Sequence, residues 1–167
     1  VHAGLDVRVG HAPAARAGAA VVFPPADPLA VGAVNRALAA AGLRWRFGGR
    51  VEREDTLASG EIPELAGARV RVRYRLEPLA GDTARGVLAR AGGAPWLVRD
   101  RWTVLVGSRM VPEETPLPLT GGFVPFVGAL VNRVARGEAG ILEAAPGASI
   151  AVPERVSGIV TAGDSVR

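Results

Sequence analysis

The chain has 167 residues, 49% of them hydrophobic and 22% charged, which suits one domain or a domain with a short appendage and excludes a disordered chain. All 20 basic residues are arginine and the pI is near 11.1, yet the net charge is only +4. So small an excess argues against nucleic acid, and abundant Ala, Gly, Arg and Pro without Lys points to coding bias in a GC-rich genome. Cysteine is absent, so disulfides, thiolate nucleophiles and thiolate metal sites are excluded and the redox compartment cannot be read. No apolar run reaches the roughly 18 residues that a membrane span needs.

The chain opens on Val1-His2-Ala3-Gly4, without Met or a signal pattern, and closes on Gly163–Arg167, which reads as a strand cut short. Both ends suggest a fragment of a larger protein. Leu5–Val9 alternates as a short strand, and Ala19–Phe23 reads as a strand buried on both faces and stopped by Pro24-Pro25. Asp27-Pro28 is a helix start, with Asp as cap and Pro in the first helical position. Leu29, Val34, Leu38 and Ala41 then follow at helical spacing, Gly42 stops the helix, and a strand begins at Leu43–Phe47. Strand, helix, strand predicts a βαβ unit and a parallel sheet.

The middle is β-rich. Arg69–Leu76 alternates strictly, setting Arg69, Arg71, Arg73 and Arg75 on one face and Val70, Val72, Tyr74 and Leu76 on the other. Thr83–Arg90 is predicted as a short helix capped by Asp82 and ended by Gly92-Gly93. Ala94–Val98 and Trp102–Val106 read as strands joined in a hairpin through Arg99-Asp100-Arg101. The proline-studded stretch Val111–Leu119 is expected to lie extended over the surface. After Thr120, the apolar residues Phe123, Phe126, Val127, Leu130, Val131 and Val134 predict a second helix, closed by Gly137. Ala148–Val152 and Val156–Thr161 read as strands of a small β appendage.

The residues that could carry chemistry are few. His2 and His11 lack an acidic cluster that would complete a metal site. None of the serines sits in a G-x-S-x-G elbow, and Gly48-Gly49, Gly92-Gly93 and Gly121-Gly122 fit no phosphate-loop spacing. Glu52, Glu54 and Asp55, mixed with Arg50 and Arg53, read as a solvated loop. Ser108 and Arg109 follow a strand, where α/β proteins place ligand groups, so they mark a weak candidate crevice. The row Arg69, Arg71, Arg73 and Arg75 is either a solvated sheet face with aliphatic stems covering apolar area or a docking face for an acidic protein or lipid headgroup.

Three ordered stretches resemble a known family: Val21–Pro28 with Trp45–Gly48 after its helix; Gly93–Val98 leading to Val106–Arg109; and Leu117–Leu119 followed by Gly122–Phe126 and Leu130–Arg133. Together, from about residue 19 onward, they resemble the large soluble region of BatA-type bacterial membrane proteins, which carry an aerotolerance-regulator N-terminal domain. The resemblance implies two transmembrane helices ahead of this region and an α/β fold like that of von Willebrand A domains or class I glutamine amidotransferases. It implies inner-membrane association, a periplasmic soluble part and no catalytic residues. The metal signature D-x-S-x-S of von Willebrand A domains is missing, and an amidotransferase triad is impossible without cysteine.

The expected architecture is therefore α/β, a partly parallel sheet flanked by two main helices, with a β-rich middle and a small C-terminal β appendage. Residues 1–137 would form the α/β region, incomplete at its N-terminus, and 138–167 the appendage or the start of a β domain. The expected role is a non-catalytic interaction or scaffold region, an accessory subunit whose partners are membrane or membrane-proximal proteins. No cofactor, metal or nucleic acid is expected, and membrane attachment would come through segments outside this chain. The alternative is a module binding a small ligand or saccharide at the carboxyl ends of the strands.

Overall fold

The computed structural model describes residues 6–10, 20–79, 86–135, 159–161 and 164–166. In chain order the elements are β1 (Asp6–Val9), β2 (Ala20–Phe23), α1 (Val31–Ala40), β3 (Trp45–Ala58), β4 (Arg69–Pro78), β5 (Val87–Ala91), β6 (Ala94–Asp100), β7 (Thr103–Val106), α2 (Phe123–Ala135), β8 (Ile159–Thr161) and β9 (Asp164–Val166). Among the described residues the architecture is α/β: a mixed, curled sheet and two α-helices. Seven strands join in the order β1-β2-β7-β6-β5-β3-β4, and β8 and β9 form a separate antiparallel pair. The predicted strands at 148–152 and the helix stop at Gly137 lie outside the described residues.

β2 is the parallel core, with Ala20, Val21 and Val22 buried, β1 on one side and β7 on the other. A strand covered on both faces reads as a continuous apolar run. After Pro24-Pro25 the side chain of Asp27 accepts the Leu29 N–H at 2.9 Å. One 3-10 turn, Pro28–Ala30, precedes α1. Val34 and Leu38 turn inward onto Val22, Val98 and Leu105, whereas Leu29 lies in the solvent-facing first turn. Gly42, at φ +76, ends the segment in a conformation that favours glycine.

The expected parallel βαβ unit does not form. β3 pairs antiparallel with β4 along its length and with β5 at its end, and it never meets β2. Hairpin pairing of neighbouring segments closes a shorter loop than a parallel crossover does, and the alternation continues past Phe47 to Ala58. The mixed-charge segment read as a loop is therefore the middle of a 14-residue strand. Two bulges bend it, Gly48-Gly49 opposite Arg75 and Arg53-Glu54 opposite Arg71, and bulges of this kind raise the local twist. Asn35 on α1 ties the strand down: its amide accepts the Phe47 N–H at 2.9 Å and donates to the Phe47 carbonyl at 2.7 Å.

The short helix predicted across Thr83–Arg90 is contradicted where the structure describes it, because Val87–Ala91 is strand. Gly92 and Gly93 both have positive φ, which makes them the tight turn of the β5–β6 hairpin rather than a helix stop. β6 and β7 form the expected hairpin, and the carboxylate of Asp100 is buried there, accepting the Arg44 N–H. Alternate residues of the central strands feed two cores. Val22, Val98 and Leu105 pack with α1; Val21, Trp96, Val104 and Val106 pack with Phe126 and Leu130 of α2.

Candidate functional site

β7 ends at a corner that decides the fate of one candidate. The Gly107 carbonyl accepts the Tyr74 N–H at 2.7 Å, and its own N–H donates to the Trp96 carbonyl at 2.7 Å. A Cβ there would stand 3.1 Å from both the Trp96 ring and the Tyr74 carbonyl oxygen, so the crossing of β4 over β6 leaves little room for a side chain. Ser108 is fully buried. Its hydroxyl accepts the Trp96 indole N–H at 3.0 Å and donates to the Val72 carbonyl at 2.7 Å. Arg109 is held by one carboxylate: its backbone N–H, Nε and Nη2 all meet Glu114, at 2.7, 2.8 and 2.7 Å. Both hydrogen-bonding directions of the Ser108 hydroxyl are used inside the fold, and Arg109 is braced by Glu114.

The stretch Val111–Leu119 does not lie extended over the surface as expected but turns inward and ends in a 3-10 turn at Leu117–Leu119. Glu114, Thr115 and Leu117 are buried. The Glu114 carbonyl accepts the N–H groups of Arg71 and Val72, and the Thr115 hydroxyl donates to the Arg69 carbonyl at 2.8 Å. Proline offers no N–H to a ladder. The non-proline residues at the centre supply the polar groups instead, and they strap the outer edge of β4. Sequence reasoning missed Glu114 and Thr115; the only signal was the polar run Glu113-Glu114-Thr115 between two prolines.

The arginine row on β4 divides. Arg69 and Arg71 are exposed and share one carboxylate, Glu54, at 3.3 and 3.4 Å. Arg73 is 3% exposed and contacts Asp55, which Arg53 also reaches at 3.2 Å. The Arg73 Nε has no partner among the described residues. Burial works to raise the Asp55 pKa, but hydrogen bonds from Arg53 and Arg73, and their charges, prevail and hold it below the ordinary 3.8. Arg75 is exposed and makes no hydrogen bond or ion pair among the described residues. Strict alternation predicts four equivalent arginines; the bend in β3 that brings Asp55 beside Arg73 removes one of them.

α2 carries a second surface. Phe126 and Leu130 are core, but Leu119, Val124 and Val127 expose 75%, 77% and 36% of their surfaces. From Phe123 to Val131 every residue is apolar. Gly122, just before the helix, lies close against the Glu64 carbonyl, where a Cβ would stand at 3.0 Å.

The single tyrosine, Tyr74, packs edge-on to Phe47, and burial raises its pKa above the usual 10.0. His2 and His11 lie outside the described residues. Among the described residues no three His, Cys, Asp or Glu side chains gather as metal ligands, and no helix is long and apolar enough to cross a membrane. Comparison with known proteins gives no match, whether to family models, curated proteins or solved structures.

Proposed function

We propose that this chain is a non-catalytic interaction region, the later soluble part of a BatA-like protein held at the bacterial inner membrane by segments outside it. On this reading it faces the periplasm and serves as an accessory subunit that docks membrane or membrane-proximal proteins. The observation that carries the interaction role is the outward face of α2. A helical stretch that is apolar all round, as Phe123–Val131 is, is normally covered on every side. Here Val124 and Val127, with neighbouring Leu119, stay open to solvent, and exposed apolar clusters on soluble domains mark contact surfaces. The ordered motifs at Val21–Pro28, Gly93–Val98 and Leu117–Arg133 support the family.

The same reading takes residues 1–137 as one α/β unit, a partly parallel sheet between two helices, and 138–167 as a small β appendage containing β8 and β9. The alternative, a ligand or saccharide module at the strand ends, has less support because Ser108 and Arg109 are engaged within the fold. Affinity purification of the full-length protein from native membranes tests the proposal. A membrane protein recovered in constant ratio is expected; recovery of the full-length protein alone contradicts it.

A further inference from the structure

We propose that the outer face of the β3–β4 hairpin receives a carboxylate-rich protein segment, with Arg75 as its anchor. This rests on the interaction reading and names the chemistry of a partner. The two strands carry seven arginines against four carboxylates. Arg69 and Arg71 lean on the single carboxylate of Glu54 through contacts of 3.3 and 3.4 Å. A guanidinium has five N–H donors, so most of theirs are left unused by that contact.

Arg75 is exposed without an ion pair among the described residues, and the strand opposite it is the Gly48-Gly49 bulge. No atom lies within 4 Å of where a Gly49 side chain would begin. The ground across from Arg75 is therefore open on the Gly49 side, while the Glu77 carboxylate, paired with Arg46 at 2.9 Å, lies over Gly48. Exposed ion pairs contribute little to stability, so the contacts to Glu54 do not commit Arg69 and Arg71 to the fold.

Strand residues two apart are separated by about 6.8 Å, the same repeat as in an extended peptide. A segment running along β4 would meet Arg69, Arg71 and Arg75 with carboxylates at matching positions, each able to take a guanidinium in two parallel hydrogen bonds. The interspersed Glu52, Glu54 and Glu77 favour a protein over a membrane or nucleic acid. A protein can omit carboxylates where these stand, whereas a phosphate surface presents negative charge throughout.

The test is fluorescence anisotropy of a labelled ten-glutamate peptide against the 167-residue chain, with Arg75→Glu, Arg75→Gln and the control Arg36→Glu on the exposed face of α1. Urea midpoints equal to the parent's establish that each variant is folded. Arg75→Glu should weaken binding about tenfold and Arg75→Gln by somewhat less. Arg36→Glu, with the same charge change as Arg75→Glu, should alter binding less than about twofold. Equal losses at Arg36 and Arg75, or no binding of the peptide, overturn the proposal. So does binding that depends on Arg75 only with phosphatidylserine vesicles or duplex DNA. If a native membrane partner is recovered but is indifferent to Arg75→Glu, this proposal falls and the interaction reading stands. If the peptide binds through Arg75 but no membrane partner is recovered, the acidic-segment site stands and the membrane-partner reading falls.

Discussion

Replacing Ser108 with alanine isolates the corner on which the curled sheet closes. The hydroxyl is wholly buried and bridges two strands, accepting from the Trp96 indole at 3.0 Å and donating to the Val72 carbonyl at 2.7 Å. Alanine fits the space but leaves one buried donor and one part-buried acceptor without this partner. Each such group costs about 1–3 kcal/mol, so after partial relaxation the expected loss is about 2–4 kcal/mol. That is a large share of a typical stability of about 5–15 kcal/mol. Urea unfolding followed by tryptophan fluorescence reads it as a lower midpoint with an unchanged slope, because the surface exposed on unfolding stays the same. A loss below about 0.5 kcal/mol, the range of an ordinary surface substitution, would refute the structural role. It would also reopen Ser108 as a ligand group.

Asp55→Asn leaves the buried Arg73 without its counter-charge and should cost about 3 kcal/mol at neutral pH. The folded pKa of Asp55 lies below the ordinary 3.8, so its contribution is full above that value and is lost as pH falls through the folded one. Acid-unfolding curves of the variant should therefore be flatter below pH 3.8 than the parent's; parallel curves would contradict the pairing. A Cβ on Gly86, at φ +87, would overlap the Arg99 carbonyl, so Gly86→Ala should lose about 2–4 kcal/mol. Gly49→Ala, with open space around it, should stay within about 0.5 kcal/mol. Equal effects in thermal melts would contradict the close approach of Gly86 to the Arg99 carbonyl. With a single tyrosine in the chain, ultraviolet titration reads Tyr74 alone, and its midpoint should lie above 10.0 in the folded protein. A midpoint at or below that value contradicts its burial.

Much of the fold is legible in local pattern. The apolar run Ala20–Phe23, the Asp27-Pro28 start, the Gly42 stop and the β6–β7 hairpin each follow from residues that specify their own backbone. The failures share one cause: they depend on contacts distant in sequence. Arg50–Asp55 looks like a solvated loop until β4 lies beside it. Gly92-Gly93 serves equally well as a helix stop or a hairpin turn until β6 pairs with β5. The four-arginine face is correct as periodicity, but the bulge at Arg53-Glu54 brings Asp55 against Arg73 and buries it. Ser108 and Arg109 do follow β7; that their polar atoms turn inward depends on Trp96, Val72 and Glu114, which the sequence pattern does not bring beside them.

The most direct test of the interaction role is photo-crosslinking from the helix face itself. A photoreactive residue placed at Val124 of the full-length protein, irradiated in native membranes, is compared with one at Arg36 on α1. A discrete adduct with another membrane or membrane-proximal protein is expected from Val124 and none from Arg36. No adduct at Val124, or the same products from both positions, would contradict the interaction role.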